Sequence, residues 1–266
     1  MLNVSRSGYY AWKKRSLSQL EMANALLAEQ IRAIFTDSRK TYGAPRIHAV
    51  LERQGIKCGH NRVARLMRLH GIVARPKKKY RPVTTQRKEG AMPAPNLLDQ
   101  NFTAEKPNQK WVGDITYIDT TEGWLYLAAV LDLFSRKVVG WSMGVHIDTD
   151  LALSALQMAW KTRRPLAGLL HHSDQGSQYT SSEYQQVLTR IQALPSMNHL
   201  GTYYDNAVME SFFSTLKTEC VTYQFATREE ARHTIFEYIE GWYNRLRIHS
   251  TLNYLSPMEY EALHGN

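Results

Sequence analysis

The sequence predicts an α/β fold, a mixed β-sheet with flanking helices, preceded by a small all-α region. Two observations support this order: helical apolar spacing gives way to short β-branched and aromatic runs near residue 109, and the net charge changes sign. Residues 1–99 contain 20 Lys/Arg and 6 Asp/Glu, a net charge of +14, whereas residues 100–266 contain 13 and 18, a net charge of −5. We therefore expect a front region that binds a polyanion and a rear region with another task.

The composition fits a globular protein of one large or two modest domains, with 266 residues and 43% hydrophobic content. The apolar run "LYLAAVL" is far shorter than the roughly 20 residues that a membrane span requires, and the N-terminal residues lack a signal-peptide apolar region. A cytoplasmic protein is expected. Cys58 and Cys220 have no CxxC partner, which argues against a disulfide framework or a zinc ribbon.

Three helices are predicted in the front region. Apolar residues keep helical spacing from Leu20 to Phe35, and two shorter helices follow in "APRIHAVLERQG" and "HNRVARLMRLHG". Pro45 suits a first helical turn, while Gly55 and Gly71 end the two short helices.

Arginines line the last of these helices, at Arg62, Arg65 and Arg68. Two short helices joined by a tight connection, the second of them basic, resemble a helix-turn-helix that places its second helix in a DNA groove. Any small basic helical bundle would give a similar pattern. Residues 1–74 are predicted to form this helix-turn-helix-like DNA-binding region.

A basic, proline-containing linker is predicted over residues 75–108, which contain five prolines and no apolar period. Its first half could follow a phosphate backbone or serve only as a solvated tether. The linker cations assigned to DNA binding are Lys77, Lys78, Lys79 and Arg81.

The predicted sheet begins at residue 109. The runs "KWVGDITYID", "WLYLAAVLDLF" and "KVVGWSMG" are separated by "TTEG" and "SR" turns and predict a three-stranded antiparallel meander. A helix in "DTDLALSALQMAW", a strand in "LAGLLHH", a helix near 181–191, a strand near "ALPSM" and a helix from Asp205 follow. Ribonuclease-H-like cores are built in this way, so residues 109–266 are predicted to form such a core with C-terminal helices.

Three carboxylates are candidates for one catalytic site. If the fourth strand lies parallel to the first, Asp114 in "WVGDITY" approaches Asp174 in "HHSDQGSQY", and Glu210 follows on the next helix, for which Asp205 is a plausible N-cap. Such a cluster is repulsive unless cations neutralise it. Oxygen ligands suit Mg²⁺ or Mn²⁺, and two such ions support phosphodiester chemistry.

Some nearby groups are interpreted as structural. Strand ends readily contain histidines, and hard-metal sites prefer oxygen, so His171 and His172 are not expected to bind the ions. Asp132 falls in a predicted hairpin and is expected to have a turn role.

Segments along most of the chain resemble the transposases of insertion-sequence family three, specifically their second reading-frame product with a retroviral-integrase-type core. The matching segments are "SRSGYYAW", "YGAPRIHAVL", "VARLMRLHGI", "WVGDITYI", "VLDLFSRKVVGW", "HHSDQGSQYTS", "DNAVMESFFSTLKTE" and "YNRLRIHSTLNYLSP".

The resemblance implies a DDE-type polynucleotidyl transferase in which Asp114, Asp174 and Glu210 hold two Mg²⁺ or Mn²⁺ ions. Lys217 matches a basic position that the family places near the transposon end. The implied reaction is hydrolysis at the end of the element, followed by attack of the freed 3′-hydroxyl on another strand. Implied partners are the terminal inverted repeats, target DNA, an upstream-frame protein or fusion, and further copies of the chain, in the bacterial cytoplasm on the nucleoid.

Three other functions remain open at this point. Arg245, Arg247, His249 and Tyr254 are the residue types of a tyrosine recombinase, although they lie close together in sequence. A DNA-binding protein without catalysis would show the same basic front region. A plain ribonuclease-H-like nuclease would share the metal chemistry without strand transfer.

Overall fold

The computed structural model describes residues 5–75, 93–198 and 204–265, and it divides the chain into two units, Met1–Arg75 and Pro76–Asn266. Within these three described ranges, no helix is long and apolar enough to cross a membrane.

The described residues of the first unit form four helices: α1 (Arg6–Lys13), α2 (Gln19–Asp37), α3 (Ala44–Arg53) and α4 (His60–Leu69). Helices α2, α3 and α4 confirm the predicted helices. A capping box starts α2, because Ser18 accepts from the Glu21 N–H and the Glu21 carboxylate accepts from the Ser18 N–H. Helix α1 was not predicted, since none of its side chains is buried and it therefore has no core-facing apolar period.

Apolar side chains of α2, α3 and α4 form the core of this unit. Its members are Leu27, Ala28, Ile31, Ile34, Ile47, Leu51, Val63, Leu66 and Met67. Gly55 and Gly71 follow α3 and α4 with φ of 79° and 63°, the left-handed conformation that glycine adopts at low cost.

A five-stranded sheet forms the centre of the second unit. Its strands are β1 (Lys110–Ile118), β2 (Leu125–Asp132), β3 (Val138–Gly144), β4 (Leu170–Ser173) and β5 (Leu194–Met197), in the order β3-β2-β1-β4-β5. The first three strands are antiparallel, which confirms the meander, while β4 is parallel to β1 and β5 is parallel to β4. This mixed sheet with helices around it confirms the ribonuclease-H-like prediction.

The helices of the second unit are α5 (Thr149–Arg163), α6 (Ser177–Thr180), α7 (Ser182–Arg190), α8 (Ala207–Glu219), α9 (Arg228–Phe236) and α10 (Pro257–His264). A π-helical segment, Glu237–Tyr243, continues from α9. Helix α6 was not predicted, because one helical turn is too short to show an apolar period. Strand β4 starts later than predicted, since Gly168 has φ of 92° and interrupts the extended chain before Leu170.

Helix α5 packs directly on the backbone of the sheet. A Cβ atom added at Gly140 of β3 would lie 2.2 Å from the carbonyl oxygen of Ala155 and 2.6 Å from the nitrogen of Ala159. Glycine on the strand and alanines on the helix therefore allow this close approach. The remaining core on this face comes from Trp111, Ile115, Val130, Val139, Leu156 and Leu188.

Candidate active site

Strand register places Asp114 and Asp174 at neighbouring positions. In the parallel pair, Trp111 lies opposite His171 and Val112 lies opposite His172. Asp114 lies two residues farther along β1, and Asp174 immediately follows the end of β4. One carboxylate therefore lies on β1 and the other directly after the neighbouring strand β4, close enough for the charge of Asp174 to act on Asp114.

Asp114 lies on the face of the sheet opposite to α5. Trp111 and Ile115 of β1 pack into the core with α5, and successive side chains of a strand point to opposite faces. Helix α8 contacts β1, and Glu210 lies in its first turn with an exposed side chain. The third carboxylate therefore comes from the helix that covers the aspartates.

Asp114 is the carboxylate on which the charges of both Asp174 and Glu210 act. Its Oδ1 accepts a hydrogen bond from the Ile115 N–H at 2.7 Å, and its Oδ2 accepts from Asn206 Nδ2 at 2.7 Å. Burial, together with the charges of Asp174 and Glu210, raises the pKa of Asp114 to about 8, against the effect of the two hydrogen bonds, which lower it. The three predicted catalytic carboxylates therefore act on one another.

The donor chemistry of this group fits a hard divalent cation. Carboxylate oxygens are the ligands that Mg²⁺ and Mn²⁺ prefer, and a positive charge among them would relieve the repulsion at Asp114. Within the described ranges, however, no three or more His, Cys, Asp or Glu side chains are gathered closely enough to hold a metal ion.

Asn206 is a site residue that the sequence reasoning missed. It occupies the N-cap of α8, makes no side-chain bond to the helix and donates instead to Asp114. Its Oδ1 atom is buried and has no hydrogen-bond partner among the described residues. Its position four residues, about one helical turn, before Glu210 could have identified it.

The prediction that Asp205 is the N-cap of α8 was wrong. A 3₁₀ turn, Tyr204–Asn206, precedes the helix, and the Asp205 carboxylate is buried. It accepts from the Gln100 N–H at 2.9 Å and from Asn96 Nδ2 at 3.0 Å. Asp205 therefore attaches the segment before the sheet to the start of α8.

Lys217 lies two turns beyond Glu210 on α8 and is buried against β1. Its Nζ atom lies 4.5 Å from the centroid of the Tyr117 ring, a cation–π distance. Burial lowers the pKa of Lys217 to about 7, while the negative charge of Asp114 acts in the opposite direction. Contact of Lys217 with the transposon end stays a prediction.

The predicted DNA-binding arginines of α4 differ in exposure. Arg65 and Arg68 are exposed, on the side of α4 away from the buried Val63 and Leu66. Arg62 is half-buried, and its Nε donates to Asn24 Oδ1 at 2.9 Å. The other predicted DNA contacts, Lys77, Lys78, Lys79 and Arg81, lie outside the described residues.

The histidines beside Asp174 are fully enclosed by protein. His171 Nε2 lies 3.0 Å from the Tyr184 hydroxyl, and burial lowers the pKa of His171 to about 4. Burial also lowers the pKa of His172, whose two ring nitrogens contact Ser196 and Asn198. Both histidines are therefore buried, and burial favours the neutral form of each ring.

The residues that suggested a tyrosine recombinase do not form an open phosphate clamp. Arg247 is buried, and its Nη2 lies 2.8 Å from Glu219 Oε1. The Tyr238 hydroxyl donates to Glu219 Oε2 at 2.9 Å. Arg247 therefore attaches the C-terminal segment to the end of α8.

Asp132 has a structural role in the turn between β2 and β3. Its carboxylate accepts a hydrogen bond from the Phe134 N–H at 2.9 Å.

The fold is that of an integrase core. Models of the integrase core domain match residues 104–202 and 210–263, and a model of an HTH-like domain matches residues 21–80. The fold is similar to that of the simian T-cell lymphotropic virus intasome in complex with PP2A regulatory subunit B56 gamma. That match has a TM-score of 0.50 and 17% identity, over 80% of this chain and 69% of the other.

Relatives among characterised proteins identify the family. Transposase InsF for insertion sequence IS3A of Escherichia coli (strain K12) is 45% identical over 265 residues, which cover 98% of this chain and 91% of the relative. The transposase for insertion sequence element IS904 of Lactococcus lactis subsp. lactis (strain IL1403) is 45% identical over 248 residues, 93% of this chain and 98% of the relative. The chain belongs to the IS3 family of insertion-sequence transposases.

Proposed function

We propose that this chain cleaves a phosphodiester bond at the end of an insertion sequence and joins the freed 3′-hydroxyl to another DNA strand. Asp114, Asp174 and Glu210 are the catalytic carboxylates. The observation that supports this most directly is the raised pKa of Asp114, to which burial, Asp174 and Glu210 contribute. Strongly perturbed carboxylates are frequent at catalytic sites.

Divalent cations, Mg²⁺ or Mn²⁺ and two in number, are the proposed cofactor, held by the same three carboxylates. When bound, such ions activate the attacking oxygen and stabilise the departing one. The Glu210 side chain is exposed in the first turn of α8, the helix that contacts β1, and its charge acts on Asp114. No covalent protein–DNA intermediate is needed.

Other residues of the chain orient the site and bind the DNA. Asn206 fixes Oδ2 of Asp114 by its hydrogen bond, and Lys217 places a positive charge near Asp114. Arg65 and Arg68, exposed on α4, bind phosphates of the terminal inverted repeat. Further copies of the chain and an upstream-frame protein bring two DNA ends together.

The test uses a labelled duplex that carries the element's end, with Mg²⁺ or Mn²⁺ and the upstream-frame protein. Wild type is expected to give metal-dependent 3′ joining, and Glu210→Gln is expected to lose more than about 100-fold, the upper end of the effect of outer-shell partners. Glu183→Gln is the matched control, because Glu183 is an exposed glutamate in the first turn of α7.

Three other outcomes would contradict the proposal. Nicking without joining in the presence of the partner would indicate a nuclease. DNA binding without any chemistry would indicate a non-catalytic DNA-binding protein. A protein–DNA adduct that disappears in Tyr254→Phe would indicate a tyrosine recombinase.

A further inference from the structure

His172 is buried at the end of β4 with both ring nitrogens in hydrogen-bond contact. Its Nδ1 lies 2.8 Å from Ser196 Oγ, and its Nε2 lies 2.5 Å from Asn198 Oδ1. Ser196 belongs to β5, the neighbouring strand, and Asn198 directly follows the end of that strand. The histidine therefore joins two strand ends at the edge of the candidate active site.

The hydrogen bonds of Ser196 determine which nitrogen of His172 is protonated. Ser196 Oγ accepts from the Leu97 N–H at 2.9 Å and from the Leu98 N–H at 3.2 Å. A hydroxyl oxygen has two lone pairs, so its own proton is left for His172 Nδ1. The neutral ring must therefore have its proton on Nε2, which donates to Asn198 Oδ1.

Asn198 in turn contacts the residues on both sides of Asp174. Its carbonyl oxygen accepts from Gln175 Nε2 at 2.6 Å, and its N–H donates to the Ser173 carbonyl at 3.4 Å. Asp174 Oδ1 accepts from the Gly176 N–H at 2.9 Å within the same turn. The turn that presents Asp174 is therefore bonded to Asn198 through its preceding and its following residue.

We propose that His172 and Asn198 are positioning residues for Asp174, with His172 held as the Nε2–H tautomer and Asn198 as its acceptor. The proposal rests on the proposed function, in which Asp174 is catalytic. Truncating the Asn198 side chain removes the acceptor and leaves a buried ring N–H unpaired. The backbone bonds of residue 198 survive this change, so the fold is kept while the turn around Asp174 loses one of its supports.

The first test reads the tautomer directly in the full chain. In ¹⁵N-histidine-labelled protein, the His172 signal is the one absent from His172→Gln. We expect an Nε2–H ring in wild type and the same tautomer in Asn198→Ala, with a shifted Nε2 resonance, because Ser196 still donates to Nδ1 while Nε2–H has lost its acceptor. An Nδ1–H ring in wild type would overturn the proposal, because Nδ1 would then be a donor.

The second test measures strand cleavage on the labelled duplex. Asn198→Ala is expected to lower the rate about ten- to a hundredfold, as outer-shell orienting partners do, with unchanged affinity for DNA. Asn198→Asp keeps an acceptor oxygen for Nε2–H and is expected to regain most of the rate. Asn101→Ala, which truncates an exposed amide, is the control and should match wild type.

The two tests separate failure of the positioning role from failure of the proposed function. Full cleavage by a folded Asn198→Ala would overturn the positioning role and leave the function intact. If the wild-type protein neither cleaves nor joins DNA, the proposed function is contradicted. The proposed role of Asn198 in catalysis is then contradicted as well. The measured tautomer of His172 would still test whether its hydrogen bonds to Ser196 and Asn198 are present.

Discussion

Replacing Asp114 by Asn is expected to stabilise the metal-free protein while it abolishes catalysis. Burial and the charges of Asp174 and Glu210 raise the pKa of Asp114 to about 8. An aspartate in the unfolded chain has a pKa of about 3.9. The folded state therefore binds more protons between these values, and its stability falls as the pH rises from about 4 to about 8.

The size of the effect follows from the pKa shift. At pH 7 the shift corresponds to about 4 kcal/mol, at 1.36 kcal/mol per pH unit. The Asp114 side chain is partly accessible to solvent, and solvent screens its charge. The expected gain in the free energy of unfolding is therefore about 2 kcal/mol. Asparagine also fits the local hydrogen bonds: a flipped Asn206 amide would present its buried Oδ1 to the new NH₂ group.

The assay is thermal unfolding of wild type and Asp114→Asn in the presence of a chelator, from pH 5 to pH 8. For a unit of this size, about 2 kcal/mol raises Tm by about 4–8 °C. The difference between the two proteins should be largest near pH 8 and shrink toward pH 4, where aspartate is protonated in both states. Added Mg²⁺ should raise the Tm of wild type more than that of the variant.

Two results would refute this reasoning. A variant that is less stable than wild type at pH 7 would show that Asp114 is not under charge repulsion. A Tm difference that does not change with pH would show that any gain comes from packing rather than from ionisation of Asp114.

Three further predictions concern the fold and DNA binding. Gly140→Ala should destabilise the protein by about 3 kcal/mol or more in urea unfolding, because its Cβ would clash with the α5 backbone, whereas Gly241→Ala, with open space at this position, should not. Arg247→Ala should cost about 3–5 kcal/mol in the same assay, since it leaves a buried carboxylate unpaired; a neutral result would place Arg247 outside the fold's core. Arg65→Ala and Arg68→Ala should each reduce the salt dependence of DNA affinity by about one unit of slope, and an unchanged slope would mean that these arginines do not contact phosphate.

The positions of the aspartates could be predicted from the sequence because they depend on strand order. An antiparallel meander followed by a helix and a strand leaves few topologies, and the parallel pairing of β1 with β4 brings Asp114 beside Asp174. Apolar periodicity likewise predicted α2, α3 and α4, since their buried side chains recur at helical spacing.

Side-chain partners at the site could not be predicted in the same way. The roles of Asp205 and Asn206 depend on a 3₁₀ turn whose geometry no period reveals, and either residue type suits an N-cap. Asn198 contacts His172 only because β5 pairs with β4 in a particular register. Helix α1 is only eight residues long and buries no side chain, so no core contact distinguishes it as a helix in the sequence.

The central claim, that Asp114 holds a catalytic metal ion together with Asp174 and Glu210, is tested most directly by exchanging its ligand atom. Thiolate sulfur binds Mg²⁺ poorly and accepts softer ions. Strand cleavage by Asp114→Cys should therefore be lost with Mg²⁺ and partly restored by Mn²⁺ or Zn²⁺, while Glu183→Cys keeps the metal preference of wild type. Cleavage by Asp114→Cys that proceeds with Mg²⁺ as in wild type would contradict the claim.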